Sequence, residues 1–85
     1  MNMTPRERVK LLMNEEDLRA PWLEKRTGIG KERWRTVKNG KAAVRADEIE
    51  ELAKIYPEYG YWLATGLELP EAGQISPMTK NAQRS

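Results

Sequence analysis

The 85-residue sequence contains no cysteine and no histidine. Without cysteine there is no disulfide and no thiolate metal ligand. Without histidine the usual general base near neutral pH is missing, and so is the commonest zinc ligand. No apolar run approaches the ~20 residues needed to cross a bilayer. The opening MNMTPRERVK lacks the apolar stretch of a secretory signal. A chain this short buries only ~60–65% of the surface it exposes when unfolded, which leaves little room for a deep cleft. The expectation is one small cytoplasmic domain with no metal, no cofactor, no membrane association and no enzymatic activity.

What the chain has in quantity is charge, unevenly placed. Lys and Arg number 15 against 13 Asp and Glu, a net of +2. Residues 1–45 hold 12 cations and 6 acids, a net of +6, whereas residues 46–85 hold 3 and 7, a net of −4. Between Lys25 and Arg45 eight cations accompany a single acid, Glu32. Localised positive charge is the footprint of a polyanion binder. The plain alternative is a solvated face. The coincidence of this run with a short helix bounded by glycines favours the first reading.

The helical pattern is legible along most of the chain. TPRE places Thr4 at an N-cap, Pro5 at the first helical position and Glu7 at the third, a capping box. Val9, Leu12 and Met13 follow at helical spacing, and Leu18 closes the next connection. A second, two-turn helix begins around Arg19–Pro21, takes Trp22 and Leu23 as its apolar side, and stops at Gly28. Ile29 reads as an apolar plug. The third helix spans Lys31–Asn39 with Gly30 as its cap and Gly40 as its stop; Trp34 and Val37, three apart, form its inner face. A fourth opens near Arg45–Ala46 with Asp47 and Glu48 in its first turn, where acids complement the helix dipole. Its stripe is Ile49, Leu52, Ala53 and Tyr56, and Pro57 ends it. A fifth, EYGYWLAT, stops at Gly66 with Trp62 and Leu63 inside. Beyond Leu67 the pattern dissolves, and residues 68–85 read as a flexible tail. The expected architecture is all-α: five helices over residues 1–67, then the tail.

Helices two and three, joined by a turn whose first residue is Gly28, make a helix-turn-helix pattern. GIGK is not a phosphate loop, since Glu32 follows Lys31 where that motif needs Ser or Thr. The carboxylates of DEIEELAK read as a solvated helix face rather than a metal site, and the tryptophans and tyrosines as core or interface rather than stacking platforms.

Leu23, Gly28, Ile29, Trp34 and Val37, followed by Asn39–Lys41, resemble the Cro and lambdoid-repressor family of helix-turn-helix regulators, also called the XRE family. AKIYPEYGYWLATG, Ala53–Gly66, resembles that family's last two helices with their Trp-Leu-x-x-Gly ending. The resemblance covers about residues 4–67. It implies a lambda-repressor-like fold and a sequence-specific regulator that occupies a double-stranded DNA operator as a homodimer. It places Lys31, Glu32, Arg35 and Thr36 at base edges, and Arg19, Gly30, Arg33, Lys38, Asn39, Lys41 and Arg45 at phosphates. Tyr59, Tyr61, Trp62 and the tail become the dimer surface. Three positions depart from the family pattern: Glu24 stands where a small Ala is usual, Thr27 where an apolar residue precedes the turn glycine, and Gly30 where Ser or Thr caps. An alternative of another class is a protein-interaction module, such as an antitoxin or a phage factor that inhibits a host regulator.

Overall fold

Thr4 caps the first helix as its sequence predicts. Its hydroxyl accepts from the Glu7 amide at 3.1 Å, and the Glu7 carboxylate accepts from the Thr4 amide at 2.8 Å. In the computed structural model, which describes residues 3–84, this helix is α1, Pro5–Glu15. Met1, Asn2 and Ser85 lie outside the described residues. The chain continues through α2 (Ala20–Thr27), α3 (Lys31–Lys38), α4 (Ala46–Ile55), a tight turn at Pro57–Tyr59, α5 (Gly60–Thr65), a second turn at Pro70–Ala72, and α6 (Pro77–Arg84). The described chain is all-α. It has six helices rather than five, and no strand beyond a single bridge between Leu69 and Gln74.

The core lies where the helical spacings point. Val9, Leu12 and Met13 from α1, Leu23 from α2, Trp34 and Val37 from α3, Leu52 from α4 and Leu63 from α5 are wholly excluded from solvent. Each contributes about 1.5–3 kcal/mol by burial. Trp22 departs from expectation: it is 40% exposed, beneath the Arg26 guanidinium at 5.1 Å. Adjacent helical residues point about 100° apart, so Trp22 cannot share the inner face with Leu23, and Ala20 takes that place instead.

The buried Arg8 holds the two ends of the domain together. Its Nε donates to the Leu63 carbonyl at 3.1 Å, near the C-terminus of α5, and its Nη1 donates to the Met3 carbonyl. A cation there meets the negative end of the helix dipole, while burial pulls the guanidinium's pKa down. Gly66 follows at φ +81°, and a Cβ there would come within 3.0 Å of Arg8 Nη1. The Trp-Leu-x-x-Gly ending is thereby closed by a left-handed glycine and a buried arginine together.

Residues 68–84 correct the expectation of a flexible tail, because they fold back onto the domain. Gln74 bridges two backbone groups, donating to the Pro57 carbonyl at 3.0 Å and accepting from the Tyr61 amide at 2.9 Å. Ser76 is buried, with its amide and hydroxyl on the Glu68 carboxylate, and it caps α6 by accepting from the Thr79 amide at 3.3 Å. Lys80 then meets Glu58 at 2.5 Å, Asn81 donates to Glu15 at 2.6 Å, and Arg84 lies 3.7 Å from Glu16. The buried Pro77 and the half-buried Ile75, together with polar contacts to α1 and the turn after α4, hold a segment too poor in large apolar groups to read as a helix.

Candidate nucleic-acid interface

The α2–α3 pair is built around a left-handed glycine and a threonine. Gly28 ends α2 at φ +78°, its amide donating back to the Glu24 carbonyl at 2.8 Å. Thr27, one residue earlier, serves three partners. Its hydroxyl donates to the Leu23 carbonyl at 2.7 Å and accepts from the Ile29 amide at 3.1 Å and from Trp34 Nε1 at 3.2 Å. One hydroxyl thus ties together the end of α2, the turn and the anchor of α3. Thr27→Val keeps the shape and removes all three bonds, leaving the N–H of the buried Trp34 unpaired. It is expected to cost about 1–3 kcal/mol, read as a fall in the urea midpoint with an unchanged slope.

Glu24 explains how α3 starts without a capping side chain of its own. Gly30 stands at the N-cap with nothing to offer, and the Glu24 carboxylate reaches across from α2 to accept from the Lys31 amide at 2.8 Å. The carboxylate thus meets a backbone amide rather than a cationic side chain. The three departures from the family pattern, at positions 24, 27 and 30, form one connected joint. The other end of α3 is closed by Gly40 at φ +72°, with the Gly40 amide on the Val37 carbonyl at 3.0 Å and the Lys41 amide on the Thr36 carbonyl at 3.1 Å. This paired closure is the Schellman arrangement.

The cations of α3 divide into two sets. Arg33 turns inward onto α4: Nε lies 2.5 Å from Glu48 Oε2, Nη2 lies 3.0 Å from Oε1, and Nη2 also donates to the Ala43 carbonyl at 2.6 Å. Its side chain is 19% exposed, and that of Glu48 is wholly buried. Glu48 is therefore no part of a solvated acidic face. Its burial opposes ionisation, but the Arg33 hydrogen bonds and the Arg45 amide, 2.7 Å away, outweigh burial and hold its pKa below the usual carboxylate range. Arg33, expected at a phosphate, is committed to this pair, and its pKa is raised by it. Lys38 is half-buried and donates to the Leu18 carbonyl at 3.2 Å, bracing α3 against the α1–α2 connection.

The second set points outward. Lys31, Glu32 and Arg35 are exposed on α3, Lys31 and Arg35 four apart and so on one face. Among the described residues the Lys31 ammonium has no ion-pair partner, and Arg35 pairs only with Glu32. Thr36 is half-buried, and its hydroxyl donates back to the Glu32 carbonyl at 2.9 Å. Asn39 and Lys41 continue the exposed edge past the helix, with Gly30 exposed at the opposite end. Arg45 is exposed at the start of α4, and Arg19 at the start of α2, where it lies 4.0 Å from Asp17. Arg6 joins this edge from α1, its Nη1 donating to the Gly40 carbonyl at 3.3 Å. Sequence reasoning missed Arg6, since nothing local ties position 6 to position 40.

The residues expected at a dimer surface lie differently. Tyr59 is fully buried, and its hydroxyl donates to Glu16 at 2.7 Å, burial first and that carboxylate second raising its pKa. Trp62 is 3% exposed. Both belong to the chain's own core, and only Tyr61 of the three reaches solvent, half-buried.

Most of the chain has a counterpart among solved structures. It is similar to Pf6r from the filamentous phage Pf6 of Pseudomonas aeruginosa PA01, with a TM-score of 0.77 and 29% sequence identity. The likeness covers 88% of this chain and 96% of that one. No protein-family model matches the sequence, and no curated protein matches it. The described residues hold no cluster of three or more potential metal ligands, and no helix long and apolar enough to cross a membrane.

Proposed function

We propose that this chain is a phage-type regulator that binds double-stranded DNA sequence-specifically, with α3 as its recognition helix. The observation that carries the reading is the sorting of the cations on α3. Those needed for the fold, Arg33 and Lys38, are turned inward and paired. Those at Lys31 and Arg35, with Lys41 beyond, face solvent on one edge. A solvated helix face has no need to anchor so short a helix with a buried Trp and brace it at both ends. A helix that enters a major groove about 12 Å wide does. The likeness to a filamentous-phage protein over nearly its full length supports the regulatory class, and the Cro-like motif supports operator occupancy as the mechanism.

In this reading Lys31, Glu32, Arg35 and Thr36 meet base edges. Arg6, Arg19, Asn39, Lys41 and Arg45 flank the phosphates, while Arg33 serves as a brace. One such helix makes few base contacts, so a two-fold pair reading half-sites ~34 Å apart supplies the affinity. Apolar surface near the expected dimer face is offered by Tyr61 with the exposed Leu67, Leu69 and Met78. Binding to mixed-sequence duplex is expected to fall steeply between 50 and 200 mM salt, with a log–log slope of about −0.9 per phosphate neutralised. A flat response in a filter or fluorescence titration contradicts the proposal.

One observation favours a second reading. The exposed Trp22 with its stacked Arg26, beside Tyr56, has the residue types of a protein-binding hot spot. A protein-interaction module would use that face instead of α3.

A further inference from the structure

Glu32 is at odds with its surroundings. It is the one acid between Lys25 and Arg45, its side chain is 80% exposed, and it stands in the first turn of α3 where approaching phosphates would repel it. Acids are favoured in a first turn because they meet free amides and the positive end of the dipole. Here Glu24 caps the Lys31 amide, and among the described residues no first-turn amide donates to the Glu32 carboxylate. The Glu32 carboxylate instead pairs with Arg35 Nη1, one turn along the same face. Exposed ion pairs of this kind add little to stability, so neither capping nor stability accounts for the acid.

We propose that Glu32 sets the sequence discrimination of this helix by holding Arg35 away from phosphates and releasing it only to G·C pairs. The inference rests on the DNA-binding reading above. Against an arbitrary duplex the pair stays closed. Arg35 is neutralised, Glu32 is repelled by the backbone, and non-specific affinity stays low. Opening the pair requires a new partner for each member. Guanine offers Arg35 two acceptors, O6 and N7, and cytosine offers Glu32 the N4 donor. Adenine faces the guanidinium with its N6 donor, and thymine faces the carboxylate with its O4 acceptor. At adenine the guanidinium keeps only N7, one bond of two, and at thymine the carboxylate finds no donor. Discrimination thus comes as much from a penalty on wrong sites as from contacts with the right one. The prediction for the ligand is a half-site with a guanine under Arg35 and a cytosine under Glu32, on one base pair or on two adjacent ones.

The test compares wild type, Glu32→Gln and Arg35→Lys on two duplexes: one of mixed sequence, and one selected by the wild type from a random pool. Glu32→Gln should bind mixed DNA about three- to tenfold more tightly, with a salt slope steeper by about 1 per protomer. Its preference for the selected site over mixed DNA should shrink by about tenfold or more. Arg35→Lys should keep the affinity for mixed DNA while losing the preference, because a lysine cannot hold O6 and N7 in a planar fork. Coincident melting curves for the three proteins establish that folding is not the cause. A wild type that binds duplex while Glu32→Gln keeps the same preference, or binds mixed DNA more weakly, overturns the role of Glu32 alone. A wild type that binds no duplex at low salt overturns the DNA reading, and the role of Glu32 with it.

Discussion

Reversing the charge of Lys31 or Arg35, as Lys31→Glu or Arg35→Glu, is expected to abolish specific DNA binding while leaving the fold intact. Each good side-chain contact to a base edge is worth about 1–3 kcal/mol of discrimination. A two-fold dimer loses it twice, about 2–6 kcal/mol in total, and so at least about 30-fold in affinity. The introduced carboxylate adds repulsion from the phosphates. Neither residue is buried and neither holds α3 in place, since that work falls to Trp34, Val37, Thr27 and Glu24. Unfolding curves should therefore superimpose on the wild type. Mobility-shift titrations should lose the specific complex. If affinity changes by less than about threefold for both variants, α3 is not the reading helix.

The second large effect concerns stability. Glu48→Ala removes the carboxylate that satisfies Arg33 and the Arg45 amide together. It leaves a guanidinium largely shielded from water with only the Ala43 carbonyl. Breaking a buried pair from one side costs about 3–5 kcal/mol. A domain of this size has on the order of 4–13 kcal/mol in all, so the variant should melt far below the wild type or remain partly unfolded at room temperature. The same pair makes a pH signature. The folded pKa of Glu48 lies below its unfolded value, so the pair stabilises the fold above the unfolded pKa, about 4.3. That stabilisation fades as the pH falls through the folded value. The wild type should lose stability below about pH 4. The double variant Glu48→Gln, Arg33→Met, which carries no charge at the site, should lose less over the same range in urea titrations.

How far the residues alone lead depends on how local the cause is. Thr4, Pro5 and Glu7 fix the start of α1 within four positions, and Gly28 and Gly40 mark the ends of α2 and α3 for a backbone reason that any reader of the chain can see. Ser76 and Pro77 carry the same start signal as Thr4 and Pro5. It was masked because α6 has few apolar residues, and the surfaces that bury Pro77 and pair with its polar side chains, at Glu15, Glu16 and Glu58 among others, are distant in sequence. The inward turn of Arg33 was hidden for the same reason. A lysine or arginine on a basic helix looks available until a partner 15 positions away, Glu48, claims it. Tyr59 and Trp62 were legible as large and apolar, but the choice between core and partner surface needed the packing of α5 against α4 and α1, with Arg8 on the Leu63 carbonyl. At the candidate site, the exposed set of Lys31, Glu32 and Arg35 follows from the spacing of Trp34 and Val37, whereas the joint of Glu24, Thr27 and Gly30 does not.

The central claim is that the outer edge of α3 is the surface that meets a duplex. It is tested most directly by following the backbone amides of the isotope-labelled protein as a wild-type-selected duplex is added. Perturbations centred on residues 28–41 and on Arg6, Arg19 and Arg45, with any others at the surface offered to a second copy around Tyr61, are the predicted result. Shifts centred on Trp22, Arg26 and Tyr56 with α3 silent would contradict it.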